Sequence, residues 1–196
     1  MKNQDYLYLD HAASTPMRTS ALEKYVEAES FGFANSSGGH KLSRDSKNLL
    51  EDSREKIAGL FNAAPGEIIF TSGGTEADNW TIKSLFESKK PDDNLVTSNI
   101  EHEAVLASAE WVSINGYQTK YAKSDENGFV SKDEFLNQID DNTKVASLMW
   151  GNNETGVIQP VKDVSKEIKS VNSSTLFHSD VCLLYTSDAA DEAIGV

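Results

Sequence analysis

The 196-residue sequence predicts an α/β fold, a mostly parallel sheet flanked by helices. Three observations carry the prediction. Short apolar runs of strand character alternate with amphipathic helical patterns. Their spacing is that of βαβ units. Polar turns rich in Gly, Asn and His recur just after the strands, where ligands of such sheets sit.

The elements follow in order. Glu67 to Thr71 reads as a buried strand, Asn94 to Ser98 as a second, and Tyr117 to Ala122 as a weaker, alternating third. Thr143 to Trp150 is a fourth, and Thr175 to His178 a fifth. Between them lie helical patterns. Ser43 to Phe61 carries Leu49, Leu50, Ile57, Leu60 and Phe61. Thr75 to Phe86 carries Ala77, Trp80, Ile82, Leu85 and Phe86, and Glu103 to Ile114 carries Val105, Leu106 and Val112. Ser131-Lys132-Asp133-Glu134 has capping-box spacing and opens a short helix holding Phe135, Leu136 and Ile139. Val161 to Val171 is the last helix. There is no internal repeat and no low-complexity linker.

Composition narrows the function. Lys and Arg number 18 against 31 Asp and Glu, a net charge of -13. That argues against a general nucleic-acid or anionic-membrane binder. No apolar run is long enough to span a bilayer or to read as a signal peptide. The one cysteine, Cys182, excludes an internal disulfide framework and a multi-thiolate zinc site, so no metal centre is expected. A reducing, cytoplasmic setting is the expectation.

The residues after each strand carry the chemistry. Ser72-Gly73-Gly74-Thr75 leads from a strand into a helix. It serves as a phosphate cradle, with close backbone approach at the glycines and free N–H groups at a positive dipole end, or as an ordinary Thr-capped turn. It is neither a G-x-G-x-x-G nor a P-loop. His102 opens the helix after the second strand. It is placed to stack on a planar ligand and move protons, or merely to cap. Gly151-Asn152-Asn153-Glu154-Thr155-Gly156 follows the fourth strand, with amides for a ligand oxygen or for the turn backbone. Asp180 follows the fifth strand as a partner for a protonated ring nitrogen or as a helix cap. Each signal alone is open to both readings. Together, a phosphate seat, a stacking His, an amide and a carboxylate at consecutive strand ends are the parts of a pyridoxal 5′-phosphate (PLP) site.

These residues also carry a resemblance. Leu9-Asp10-His11-Ala12-Ala13-Ser14-Thr15-Pro16 resembles the opening of the class V, PLP-dependent aminotransferase superfamily. Thr71 to Asn79, Glu101 to Leu106 and Asn152 to Pro160 are similar to the cysteine desulfurases within it. Asn35-Ser36-Ser37 with His40 resembles their N-P-S-S and H segment, with Ser36 in place of proline. The motifs run in family order from Tyr6 to Asp180.

The resemblance implies a fold type I PLP-dependent transferase, here part of the large domain. It implies that Gly74 and Thr75 hold the cofactor phosphate. His102 stacks on the pyridine ring and assists proton transfer, and is the implied catalytic residue. Asn153 lies by the ring's phenolic oxygen and the substrate carboxylate, and Asp180 pairs with the pyridinium nitrogen. The implied reaction takes L-cysteine to L-alanine. Sulfur passes as an enzyme persulfide to an acceptor or scaffold protein of iron–sulfur assembly, or to thio-modification. A homodimer is implied for the full-length enzyme. Another class V enzyme, an aminotransferase or selenocysteine lyase, is the alternative; a non-catalytic phosphate- or nucleotide-binding α/β module is a third.

The sequence also departs from the family. The Ser-x-His-Lys motif with the Schiff-base lysine, the nucleophilic loop cysteine and the substrate-clamping arginine do not occur in it. The expectation is therefore that residues 1–180 are the N-terminal part of the PLP-binding large domain, without desulfurase activity of their own. After Asp180 the family has Ala, any residue, then Gln; here Val181-Cys182-Leu183 stands instead. The string to Val196 resembles translated adapter read-through, so residues 181–196 are expected to be a non-native tail in which Cys182 has no role.

Overall fold

The computed structural model describes residues 7–87, 90 and 92–183. Residues 184–196, most of the expected tail, lie outside them. The chain divides into two compact units, Met1–Ile69 and Phe70–Val196.

The first unit holds α1 (Thr19–Phe31), α2 (Lys41–Leu60) and a 3-10 turn at Pro65–Glu67. Helix α1 has no counterpart among the predicted elements, and it buries none of its residues. His40 is the N-cap of α2, its Nδ1 accepting the Ser43 amide at 3.3 Å. The Asn35-Ser36-Ser37 segment turns on itself, with the Ser37 amide donating to Asn35 Oδ1 at 2.9 Å. The predicted strand Glu67 to Thr71 is not a strand among the described residues. Its first residue ends the 3-10 turn, the remainder runs outside the sheet, and Ile69 is exposed.

The second unit carries the sheet. Its elements are α3 (Gly74–Ser84), β1 (Asn94–Ser98), α4 (Glu103–Ile114), β2 (Gln118–Ala122), α5 (Lys132–Leu136), β3 (Thr143–Ser147), α6 (Val161–Val171) and β4 (Leu176–His178). All three pairings are parallel, in the order β2-β1-β3-β4. The β3–β4 ladder continues past the strands: the Leu148 amide donates to His178 O and the Trp150 amide to Asp180 O.

Alternation along the strands splits the core into two layers. Val96, Ala146 and Leu148 pack with Phe135, Val164 and Ile168, while Leu95 and Val145 pack with Ile82, Val105, Ala109 and Val112. Thus α5 and α6 cover one face and α3 and α4 the other, as a parallel sheet requires. The period of α6 shows why: Val161, Val164 and Ile168 are its buried residues, at i, i+3 and i+7. Ser131 caps α5 by accepting the Glu134 amide at 3.1 Å, but Glu134 reaches the Lys123 amide and not Ser131, so the predicted box closes on one side only.

The strand order fixes where a ligand belongs. From β1 the chain moves outward to β2, then returns to the other side of β1 with β3. The direction reverses between β1 and β3, and the crevice at their carboxyl ends is the switch point. Among the described residues no helix is long and apolar enough to cross a membrane.

Candidate functional site

Four loops meet the carboxyl ends of the sheet, and the sequence-predicted residues lie on all four. The first enters α3. Gly73 is its N-cap and offers no side-chain hydrogen bond, so the first-turn amides stay available. Glu76 bends back to accept the Ser72 amide at 2.5 Å, which holds its carboxyl below the usual range. Among the described residues no heavy atom lies within 4 Å of where a Gly73 Cβ would stand, whereas a Cβ on Gly74 would meet Cys182 Sγ at 2.7 Å. Thr75 is exposed in the first turn.

The second loop follows β1. His102 is the N-cap of α4, its Nδ1 accepting the Ala104 amide at 3.1 Å. Capping and ligand contact are therefore compatible. The cap uses Nδ1 and leaves the exposed ring face and Nε2 open. The preceding residue, Glu101, received no role from the sequence, yet it is 5% exposed. Its Oε1 accepts both the Ser98 hydroxyl at 2.8 Å and the Met149 amide at 2.9 Å. Its Oε2 is buried with no hydrogen-bond partner among the described residues. Burial pushes this carboxyl up to about 8, with Asp180 and Asp78 adding to the shift and its two donors opposing it.

The third loop follows β3 and separates the two amides. Asn152 is buried and structural. Its Oδ1 accepts the Glu154 and Thr155 amides at 3.0 and 2.8 Å, and its Nδ2 donates to Ile100 O at 2.8 Å. Asn153 is exposed and makes no side-chain hydrogen bond among the described residues, so its amide is the one left for a ligand. Gln159 of the same motif is also structural, its Oε1 accepting the Val130 amide and its Nε2 donating to Gly128 O.

The fourth loop follows β4. Asp180 is 8% exposed, and its Oδ1 accepts the Cys182 amide at 2.9 Å. It has no cationic partner among the described residues. Two residues earlier, His178 Nε2 lies 3.4 Å from Asp78 Oδ1 on α3, and its Nδ1 lies 2.8 Å from Ser147 Oγ. Cys182 is an exposed residue, but partial burial of its thiol, with hydrogen bonding to Asp180 and the Asp180 charge, pushes it up to about 12, so it is protonated at neutral pH.

Contacts tie the loops together: Glu101 and Asn152 join the second loop to the third, Asp78–His178 joins α3 to β4, and Gly74 abuts Cys182. Gly74, Thr75, His102, Asn153 and Asp180 thus occupy one end of one sheet. The arrangement offers amides for an anion, an imidazole face, an amide and a buried carboxylate.

Known proteins share the sequence and the shape. The chain is 38% identical over 175 residues to cysteine desulfurase IscS of Methanosarcina thermophila, covering 89% of this chain and 43% of that one. A solved NifS-like protein superposes with a TM-score of 0.86 at 34% identity, over 92% of this chain and 49% of that one. A structure described as SspA in complex with cysteine gives 0.83 at 30% identity, over 94% and 54%. The chain therefore spans about half the length of these proteins or somewhat less. The family model for class-V aminotransferases matches residues 7–191. With the motifs of α3, the His102 loop and the Asn152 loop in place on that fold, the chain belongs to the class-V aminotransferase family.

Proposed function

We propose that this chain is the N-terminal part of a PLP-dependent cysteine desulfurase. The reading is carried by Asp180, a buried carboxylate at a strand end with no cationic partner among the described residues. A buried charge needs a counter-charge, and a protonated pyridine nitrogen supplies one.

The residues present fit the cofactor. The uncapped first turn of α3, with Gly74 and Thr75, suits its phosphate. When bound, PLP supplies an electron sink for the substrate's amino-acid carbon. The chain's own residues supply the rest. Asp180 keeps the ring nitrogen protonated by charge pairing. His102 presents its imidazole at the mouth of the crevice, with Nε2 free to hold or move a proton. Asn153 offers an amide to the ring oxygen and to a substrate carboxylate.

The substrate proposed is L-cysteine. Its C–S bond breaks, sulfur passes to a protein thiol as a persulfide, and the carbon gains a proton to leave L-alanine. The wider reading includes a homodimer, a sulfur acceptor or scaffold protein of iron–sulfur assembly, and a cytoplasmic setting. The names of the relatives and the cysteine-bound neighbour support the substrate.

Leu183 stands where the resembled family has Gln. We attribute this to residues 181–196 being non-native. Sequencing the source gene past the Asp180 codon tests the whole reading. Ala-x-Gln, then Ser-x-His-Lys and a later loop cysteine, is the result expected. A lysine without that cysteine would move the chain to another class V activity.

A further inference from the structure

Glu101 is the buried ionisable group that the proposed function does not use. It sits at the switch point itself. Through one oxygen it holds Ser98, the last residue of β1, and the main chain of Met149 just beyond β3. The next residue is His102, and the loop it pins continues into the Asn152 turn through Ile100 O. Its other oxygen is buried with no partner among the described residues. An ionised carboxylate with one oxygen so placed is strongly disfavoured; a protonated one needs far less compensation.

Its surroundings point the same way. From α3, Asp78 bears on it, and from the segment after β4, Asp180 does; both are negative. At the ends of β1 and β3 its hydrogen-bond donors among the described residues are neutral, the Ser98 hydroxyl and the Met149 amide. His178, the one imidazole of β4, lies against Asp78.

We propose that Glu101 is a positioning residue held as the uncharged acid. It knots the carboxyl ends of β1 and β3 beneath His102 and leaves Asp180 as the carboxylate with charge to offer a ligand. Three buried acids then divide the work: Asp78 faces His178, Glu101 carries a proton, and Asp180 faces the crevice. The last clause rests on the cofactor reading above; the state of Glu101 does not.

The test is a carbon-13 NMR titration of the full 196-residue chain labelled at glutamate carboxyls, with Glu101→Gln to assign the resonance. The expected result is a midpoint near 8 for Glu101, moving to lower pH in Asp180→Asn, where a like charge is gone. A midpoint in the ordinary carboxylate range, or one indifferent to Asp180→Asn, overturns the proposal. A melting series guards against a variant that folds poorly. A raised folded pKa means the folded state holds the proton more tightly, so stability falls as pH rises from about 4.5 to about 8 and levels off above. Relative to Glu101→Gln, whose amide keeps both acceptor bonds without a proton to lose, the wild type loses at most roughly 3–5 °C of Tm per pH unit across that window. A constant difference between the two overturns the proposal. A Glu101 midpoint near 8 in a chain that binds no pyridoxamine 5′-phosphate sustains the uncharged clamp and defeats the cofactor reading. An ordinary midpoint in a chain that binds it through Asp180 does the reverse.

Discussion

Glu101 Oε1 accepts the main-chain amide of Met149 at 2.9 Å, across 48 residues of sequence. That bond ties the loop after β1 to the end of β3 and so sets the floor of the crevice. His102 and Asn153 are carried on either side of this tie, one residue and four residues from its ends. The site is therefore built on strand ends, with loop residues supplying the chemistry.

The paired amides give the sharpest separation of structure from function. Asn152→Ala removes an acceptor of two main-chain amides and the donor to Ile100 O from a buried position. It is expected to cost about 2–4 kcal/mol. Asn153→Ala removes an exposed side chain with no such bonds and is expected to stay within about 0.5 kcal/mol. Urea denaturation of the two variants checks the contrast, and equal losses would contradict it.

Phe135 reports on the covered face of the sheet. It is fully buried, packed in the layer with Val96, Ala146, Val164 and Ile168. Phe135→Ala is expected to cost about 3–5 kcal/mol through lost burial and the cavity left behind. The same urea measurement reads it.

Asp140 anchors the opposite end of the sheet. Partial burial works against its charge, but hydrogen bonds from Lys120 at 2.5 Å, from Asn94 at 2.8 Å and from the Asn142 amide outweigh it and hold the carboxyl down to about 2. The sign follows: the contribution is complete above the ordinary value of 3.8 and is lost as pH falls toward 2. Its side chain is 45% exposed, so solvent screening limits that contribution to about 1 kcal/mol or less. Asp140→Asn should flatten the acid limb of a stability–pH curve below about 4, and an unchanged limb would refute the assignment.

Cys182 should be a poor nucleophile. With its thiol pushed up to about 12 against an ordinary 9.0, alkylation by iodoacetamide at pH 8 is expected to run roughly 100- to 1,000-fold below a free cysteine. Asp180→Asn should speed it. A rate equal to that of free cysteine would show that the carboxylate does not govern the thiol.

Much of this architecture was legible in the sequence, because βαβ folds advertise themselves through period and spacing. The strand Asn94–Ser98 and the helices at Glu103–Ile114 and Val161–Val171 lie where the pattern places them. Thr71 and its neighbours did not follow, because an apolar run reads as a strand whether or not it pairs; here it leaves a 3-10 turn and stays outside the sheet. Helix α1 was missed because its apolar residues are not segregated toward a core; none is buried. At the site, position along the chain pointed to His102, to the Asn152-Asn153 pair and to Asp180, but not to which amide is free. That distinction depends on the turn of Asn152 around its own Oδ1. Glu101 escaped for the same reason: its role lies in a bond to a residue 48 positions away, and no local pattern announces it.

The most direct test of the central claim is the affinity of the purified chain for pyridoxamine 5′-phosphate, which has the cofactor's ring and phosphate but no aldehyde to react with surface lysines. Isothermal titration of the wild type against Asp180→Ala is the measurement. Saturable binding in the wild type, weakened at least about tenfold without the buried carboxylate, is the predicted result. No binding, or equal binding by both proteins, would contradict the account.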